Sequence, residues 1–89
     1  MAPEARYRRT GLPYQEIQGK CVVVAPARRE MHELDETATF LWSALAKAAT
    51  IADLSAALCE EYEVEPAEAD RDVRRFVASL EEKGLVVRA

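Results

Sequence analysis

Apolar and polar positions change their period near residue 35. Before it the apolar residues fall in short alternating or continuous runs; after it they recur every three or four residues. In the first third, Tyr14-Gln15-Glu16-Ile17 alternates weakly and is followed by Gln18-Gly19, a two-residue turn in which Gly is free to take positive φ. Lys20-Cys21-Val22-Val23-Val24-Ala25 is rich in β-branched residues and predicts a strand. Pro26 lacks a donor and ends it. Ala27-Arg28-Arg29 then connects to Glu30-Met31-His32-Glu33-Leu34, which alternates as a third, more polar strand. Tyr7-Arg8-Arg9 is a candidate further edge strand, cut short by Gly11 and Pro13. An antiparallel meander of two or three strands results, too small to stand without helices against it.

Three helices follow. Asp35 is a good N-cap for the first, with Glu36 at the positive end of its dipole and Ala38, Leu41, Trp42 and Leu45 on one stripe. Thr50-x-x-Asp53 predicts a capping box for the second, whose stripe is Ile51, Leu54, Leu58 and Tyr62. The third has Pro66 in its first turn, a stripe of Ala69, Val73, Phe76, Val77 and Leu80, and Gly84 just past its end as a stop. Leu85-Val86-Val87 runs out extended. Strands and helices are segregated, so the fold class is α+β and winged-helix-like, with Trp42 and Phe76 expected inside one core.

Eighty-nine residues hold one such core and no second. The expected layout is a single domain, with residues 1–13 flexible, 14–34 the meander and 35–84 the helices. The longest mostly apolar uncharged run, Thr37 to Ala46, is about half of the ~20 residues a membrane span needs, and the opening residues do not read as a signal peptide. A cytoplasmic protein is expected. Cys21 and Cys59 are far apart, and neither sits in a metal-ligand spacing. Two reduced thiols and no metal are expected. The net charge of −4 is unevenly spread: residues 1–29 hold six Lys/Arg against two Asp/Glu, and residues 30–89 hold six against fourteen. An acidic C-terminal part opposes general affinity for nucleic acid.

Reactive chemistry is sparse. His32 is the only imidazole, and no Ser or Cys is fixed near it by local spacing. Glu60-Glu61 and Glu81-Glu82 are adjacent on helices and point apart. Three separated glycines form no phosphate cradle. No enzymatic activity and no cofactor are expected. Two surfaces are left as binding candidates. Arg71, Arg74 and Arg75 share a side of the third helix and would serve a DNA reader, although Asp70, Asp72 and Glu68 stand close enough to pair with them. The strand Glu30–Leu34, if it is a sheet edge, offers unpaired N–H and C=O groups to a strand from another chain, or to a second copy.

The ordered set Met31-His32-Glu33-Leu34-Asp35-Glu36-Thr37-Ala38, Leu41-Trp42, Thr50-Ile51-Ala52-Asp53-Leu54, Leu58-Cys59-Glu60-Glu61-Tyr62-Glu63-Val64, Asp72-Val73 and Gly84-Leu85-Val86 resembles the PqqD-like family, named for coenzyme PQQ synthesis protein D. The likeness spans residues 20 to 87. It departs at Lys47-Ala48-Ala49, where the family often has Asp-Gly, and at Ala27, where it usually has Glu. The second departure points away from the PQQ pathway itself, towards a cousin acting on another peptide. The resemblance implies a non-catalytic recognition element. Such a domain binds the leader segment of a ribosomally made precursor peptide and presents it to a modifying enzyme, often a radical S-adenosylmethionine enzyme. It also implies strand addition between the third strand and the third helix. On this chain Glu30, Met31, His32, Glu33 and Leu34 would be the strand, with mainly backbone bonds from Met31, His32 and Glu33. Val77 and Leu80 would be the apolar floor, and Arg74 and Ala78 the rim of a helix face ending at Glu81.

Overall fold

The computed structural model describes residues 4–89. Gln18 and Gly19 both take positive φ, 52° and 78°, the pair that a two-residue type I′ hairpin needs. They join β2 (Tyr14–Ile17) to β3 (Lys20–Ala25), with Ile17 opposite Lys20. β3 alternates as a half-covered strand should: Cys21, Val23 and Ala25 are buried, while Val22 and Val24 lie on the outer face. Pro26 begins a single 3-10 turn over Pro26–Arg28, and Arg29 closes it in the left-handed region (φ 55°). The chain then returns as β4 (Glu30–Leu34), antiparallel to β3 with Cys21 opposite Leu34 and Ala25 opposite Glu30. The sheet order is β2-β3-β4.

The N-terminal segment differs from expectation. Tyr7-Arg8-Arg9 does not extend the meander. It lies in β1 (Arg6–Arg9), the central strand of a second antiparallel sheet. Its neighbours are β5 (Ala49–Thr50) and β6 (Val86–Arg88), the extended terminal segment. Gly11-Leu12-Pro13 turns the chain between the two sheets, and Thr10 ties β1 down through N–H and Oγ1 bonds to the Leu85 carbonyl, both 3.0 Å. Most of the stretch expected to be flexible is therefore held by residues far along the chain, a pairing that local pattern does not encode. Residues 1–3 of that stretch lie outside the described residues.

The helix signals read as written. The Asp35 Oδ1 accepts from the Ala38 N–H at 2.8 Å and starts α1 (Glu36–Ala44). Thr50 and Asp53 form the reciprocal capping box of α2 (Ile51–Glu61), each bond 3.0 Å. Pro66 opens α3 (Pro66–Glu82). At its end Gly84 (φ 75°) and Leu85 return their N–H groups to the carbonyls of Glu81 and Leu80, in a Schellman-type stop. The Lys47-Ala48-Ala49 departure does not lengthen α1; the chain leaves the helix after Ala44, and Ala49-Thr50 pairs with β1. Trp42, Leu45, Leu54, Val73, Leu85 and Val23 fill one core between the sheets and the helices. Phe76 is not in it: it packs against the core with one side still exposed. Among the described residues, no helix is long and apolar enough to cross a membrane.

Candidate functional site

β4 is an edge strand, hydrogen-bonded to β3 alone. The hairpin decides which of its backbone groups are free. In a two-residue hairpin the pair that closes the turn is hydrogen-bonded, so Lys20, Val22 and Val24 direct their N–H and C=O towards β2. The Val24 N–H bond to the Pro13 carbonyl, 2.8 Å, agrees. Cys21, Val23 and Ala25 therefore bond to β4, using the backbones of Leu34, His32 and Glu30. Met31 and Glu33 are left with N–H and C=O facing the open side. This corrects the expectation for His32, whose main chain is spent on the ladder. Its side chain points inward, opposite Val23, with Nε2 buried and without a hydrogen-bond partner. Met31 and Glu33 project from the outer face, Met31 at 70% exposure.

The space beside β4 is walled by one flank of α3. Two contacts mark its ends. At the Glu30 end, the Arg28 Nη1 donates to the Glu82 carbonyl at 3.4 Å, and its Nη2 lies 3.3 Å from where a Cβ on Gly84 would stand. At the Leu34 end, Asp35 shares a pocket of ≈ 370 Å³ with Asp72, Arg75 and Phe76 of α3. Ala38, Leu41 and Leu58 make the apolar remainder of that pocket. β4 and α3 thus run antiparallel. Asp72 and Phe76 border that pocket, and by helical spacing Ser79 and the C-cap residue Lys83, at i+7 and i+11 from Asp72, continue the same flank.

The helix residues singled out from sequence lie elsewhere. Arg74, Ala78 and Glu81 line a depression with Tyr7, Ile51 and Arg88, on the flank that turns towards β1 and β6. Val77 and Leu80, each 3% exposed, are core residues beneath both flanks. The apolar stripe was legible, but two flanks border any stripe, and only the packing of the sheets decides which one meets β4. Arg74 is tied to the Asp70 carboxylate at 2.8 Å, and that bond raises its pKa above the ordinary value. Arg75 turns to the other flank and borders the pocket. The arginines thus do not form one basic face, and a DNA-reading helix finds no support in them. Cys21, on the buried face of β3, has its thiol pKa pushed up by desolvation, with Glu16 adding to the shift and Arg9 opposing it; a raised pKa keeps a thiol protonated and unreactive.

The model of the family described as coenzyme PQQ synthesis protein D (PqqD) matches residues 20–86. The chain belongs to the PqqD family. That span runs from the first residue of β3 through the first of β6, and so contains β4, α3 and the pocket that Asp35 shares with α1, α2 and α3. No curated protein matches the chain. Among solved structures, a lasso peptide synthetase B1 complexed with its leader peptide is 28% identical, with a TM-score of 0.80 over 91% of this chain and 96% of that one. TbiB1 in complex with the TbiA(β) leader peptide shares the fold at 24% identity and a TM-score of 0.81, over 89% and 93% of the two chains. So does the PqqD truncation of Methylobacterium extorquens PqqCD, described as a stand-alone RiPP recognition element (22%, TM-score 0.75, 93% and 89%). The α+β arrangement, with antiparallel strands ahead of three helices, is that of the PqqD fold.

Proposed function

We propose that this PqqD-family chain captures the leader segment of a ribosomally made precursor peptide as an added strand beside β4 and presents it to a modifying enzyme. The observation that carries the reading is the open edge itself. Met31 and Glu33 offer a ladder of backbone donors and acceptors, and past the Leu34 end of the strand lies a helix-walled pocket with Leu41, Leu58 and Phe76 in its lining. Main-chain bonds supply sequence-tolerant affinity, and the pocket over Leu41, Leu58 and Phe76 supplies selectivity for one apolar side chain of the guest. The leader complex of the 28%-identical lasso peptide synthetase B1 supports the same role.

The domain contributes no bond-making group. Its contribution is effective concentration: a tethered leader holds the rest of the precursor near the enzyme and makes delivery close to intramolecular. The enzyme partner in this reading is of the radical S-adenosylmethionine type, and the setting is the cytoplasm, where precursor peptides are made. Titration calorimetry with synthetic leader peptides from short reading frames sought near the gene tests the proposal. Saturable binding that weakens sharply in the folded Met31→Pro variant is expected; equal binding by that variant rules out strand addition at β4.

A further inference from the structure

We infer that the groove between β4 and α3 is electrically polarised and selects a guest strand bearing an acidic residue at one end and a basic residue at the other. The inference rests on the strand-addition reading and goes beyond it by naming the charge pattern of the peptide.

Both walls change sign in the same direction. On the strand side the wall begins at Arg28 and ends at Asp35; on the helix side it begins at Lys83 and ends at Asp72. The elements run antiparallel, so the two cations share one end and the two carboxylates the other. The ends are well separated. Eleven residues of helix from Asp72 to Lys83 span about 16 Å, which exceeds the screening length of ~8 Å at physiological salt, so each end attracts its own charge. Arg75 and Lys20 near the acidic end, and Glu30 and Glu82 near the basic end, dilute the polarity without reversing it. Glu36 adds to the first, and Arg29 to the second.

The cations at the basic end are unspent. Among the described residues, the ion pairs are Arg74–Asp70 and Arg88–Glu81, both on the other flank of α3. Arg28 instead reaches a neutral backbone carbonyl, with its guanidinium laid over Gly84. That contact holds it across the mouth of the groove and leaves its remaining N–H donors open. Guanidinium is suited to a carboxylate, which accepts two of those donors at once.

A purely structural role for Arg28 is also visible, since a cation near the last carbonyls of α3 complements the helix dipole. The test separates the two. A displayed library of random peptides of about ten residues, enough for a strand along β4, is selected on the full chain, on Arg28→Gln/Lys83→Gln and on Arg28→Lys. The expected result is enrichment of Asp or Glu at one end of the peptides recovered by the wild type and by Arg28→Lys. The double variant should lose that enrichment while retaining the apolar anchor. For one recovered peptide, changing its acid to the amide should cost about three- to tenfold on the wild type and less than about twofold on the double variant. An acidic preference that is absent in the wild type, or that survives in a folded double variant, overturns the inference while leaving strand addition intact. Recovery of no peptide by the wild type overturns both.

Discussion

The two flanks of α3 face two sheets, and the sheets treat them differently. Towards β5-β1-β6 the flank is closed. Arg74 is bound to Asp70, Arg88 lies 3.6 Å from Glu81, and the Arg88 guanidinium covers the Tyr7 ring at 5.7 Å. The edges of that sheet are strands of two and three residues, too short to recruit another chain. Towards β2-β3-β4 the flank is open. Its residues make no ion pair among those described, and the five-residue edge β4 stands across from it with the backbones of Met31 and Glu33 unspent. One sheet uses α3 to complete the fold; the other uses it as the far wall of a groove. The amphipathic helix is the same in both cases, and the difference comes from the length of the edge strand presented to it.

The largest effect expected from this contrast is on the edge. Met31→Pro removes an outward N–H and projects a ring into the path of the guest, while taking nothing from the β3–β4 ladder. Peptide affinity should fall on the order of a hundredfold with the melting temperature little changed. His32→Pro is the control, because its N–H is spent on β3. It should lower stability, and a melting curve unchanged by it would show that the backbone directions assigned to β4 are inverted. Next comes the helix wall. Phe76→Ala deletes a half-exposed ring from the pocket floor, so binding should weaken about tenfold and stability by about 1–2 kcal/mol, checked by calorimetry and by denaturant unfolding.

How much of this was legible in the sequence follows from the range of each signal. The caps at Asp35 and Thr50, the stop at Gly84, the Gln18-Gly19 turn and the Glu30–Leu34 edge are decided within a few residues, and all appear in the structure. The pairing of β1 with β6 joins residues some 80 apart and leaves no local trace. The site divides in the same way. β4 could be read, because alternation and polarity mark it as an edge. The helix wall could not, because Arg74, Ala78 and Glu81 border the stripe as closely as Asp72, Phe76 and Lys83 do. One clue was available: Phe76 is a large ring at the margin of a stripe already filled by Ala69, Val73, Val77 and Leu80.

A smaller effect belongs to the closed side, where β5 runs directly into α2. Thr50→Ala removes the hydroxyl half of the capping box and should cost about 1 kcal/mol of stability with peptide affinity unchanged. It also alters the acid limb. Backbone and side-chain hydrogen bonds from Thr50 hold the Asp53 carboxyl below its ordinary value of 3.8. A depressed carboxyl stabilises the fold at pH above that value, and the contribution is lost as the pH falls through the folded pKa. Stability of the wild type should therefore decline more steeply than that of Thr50→Ala below about pH 4, followed by unfolding at fixed denaturant. Parallel curves would mean that the backbone N–H of residue 50, which the variant keeps, holds Asp53 without the hydroxyl.

The smallest effect is expected at Arg74, and it is the sharpest check on which flank is used. Its guanidinium is 64% exposed and its partner Asp70 is 44% exposed, so the ion pair is screened by solvent. Arg74→Ala should leave the denaturation midpoint close to that of the wild type, and any difference should shrink further at high salt. Because the residue faces Tyr7 and Arg88 rather than β4, peptide affinity should stay within about twofold of the wild type, the margin expected of a distant surface charge. A tenfold loss of affinity in this variant would move the guest to the flank beside β1 and β6, and would leave the open edge of β4 without its partner.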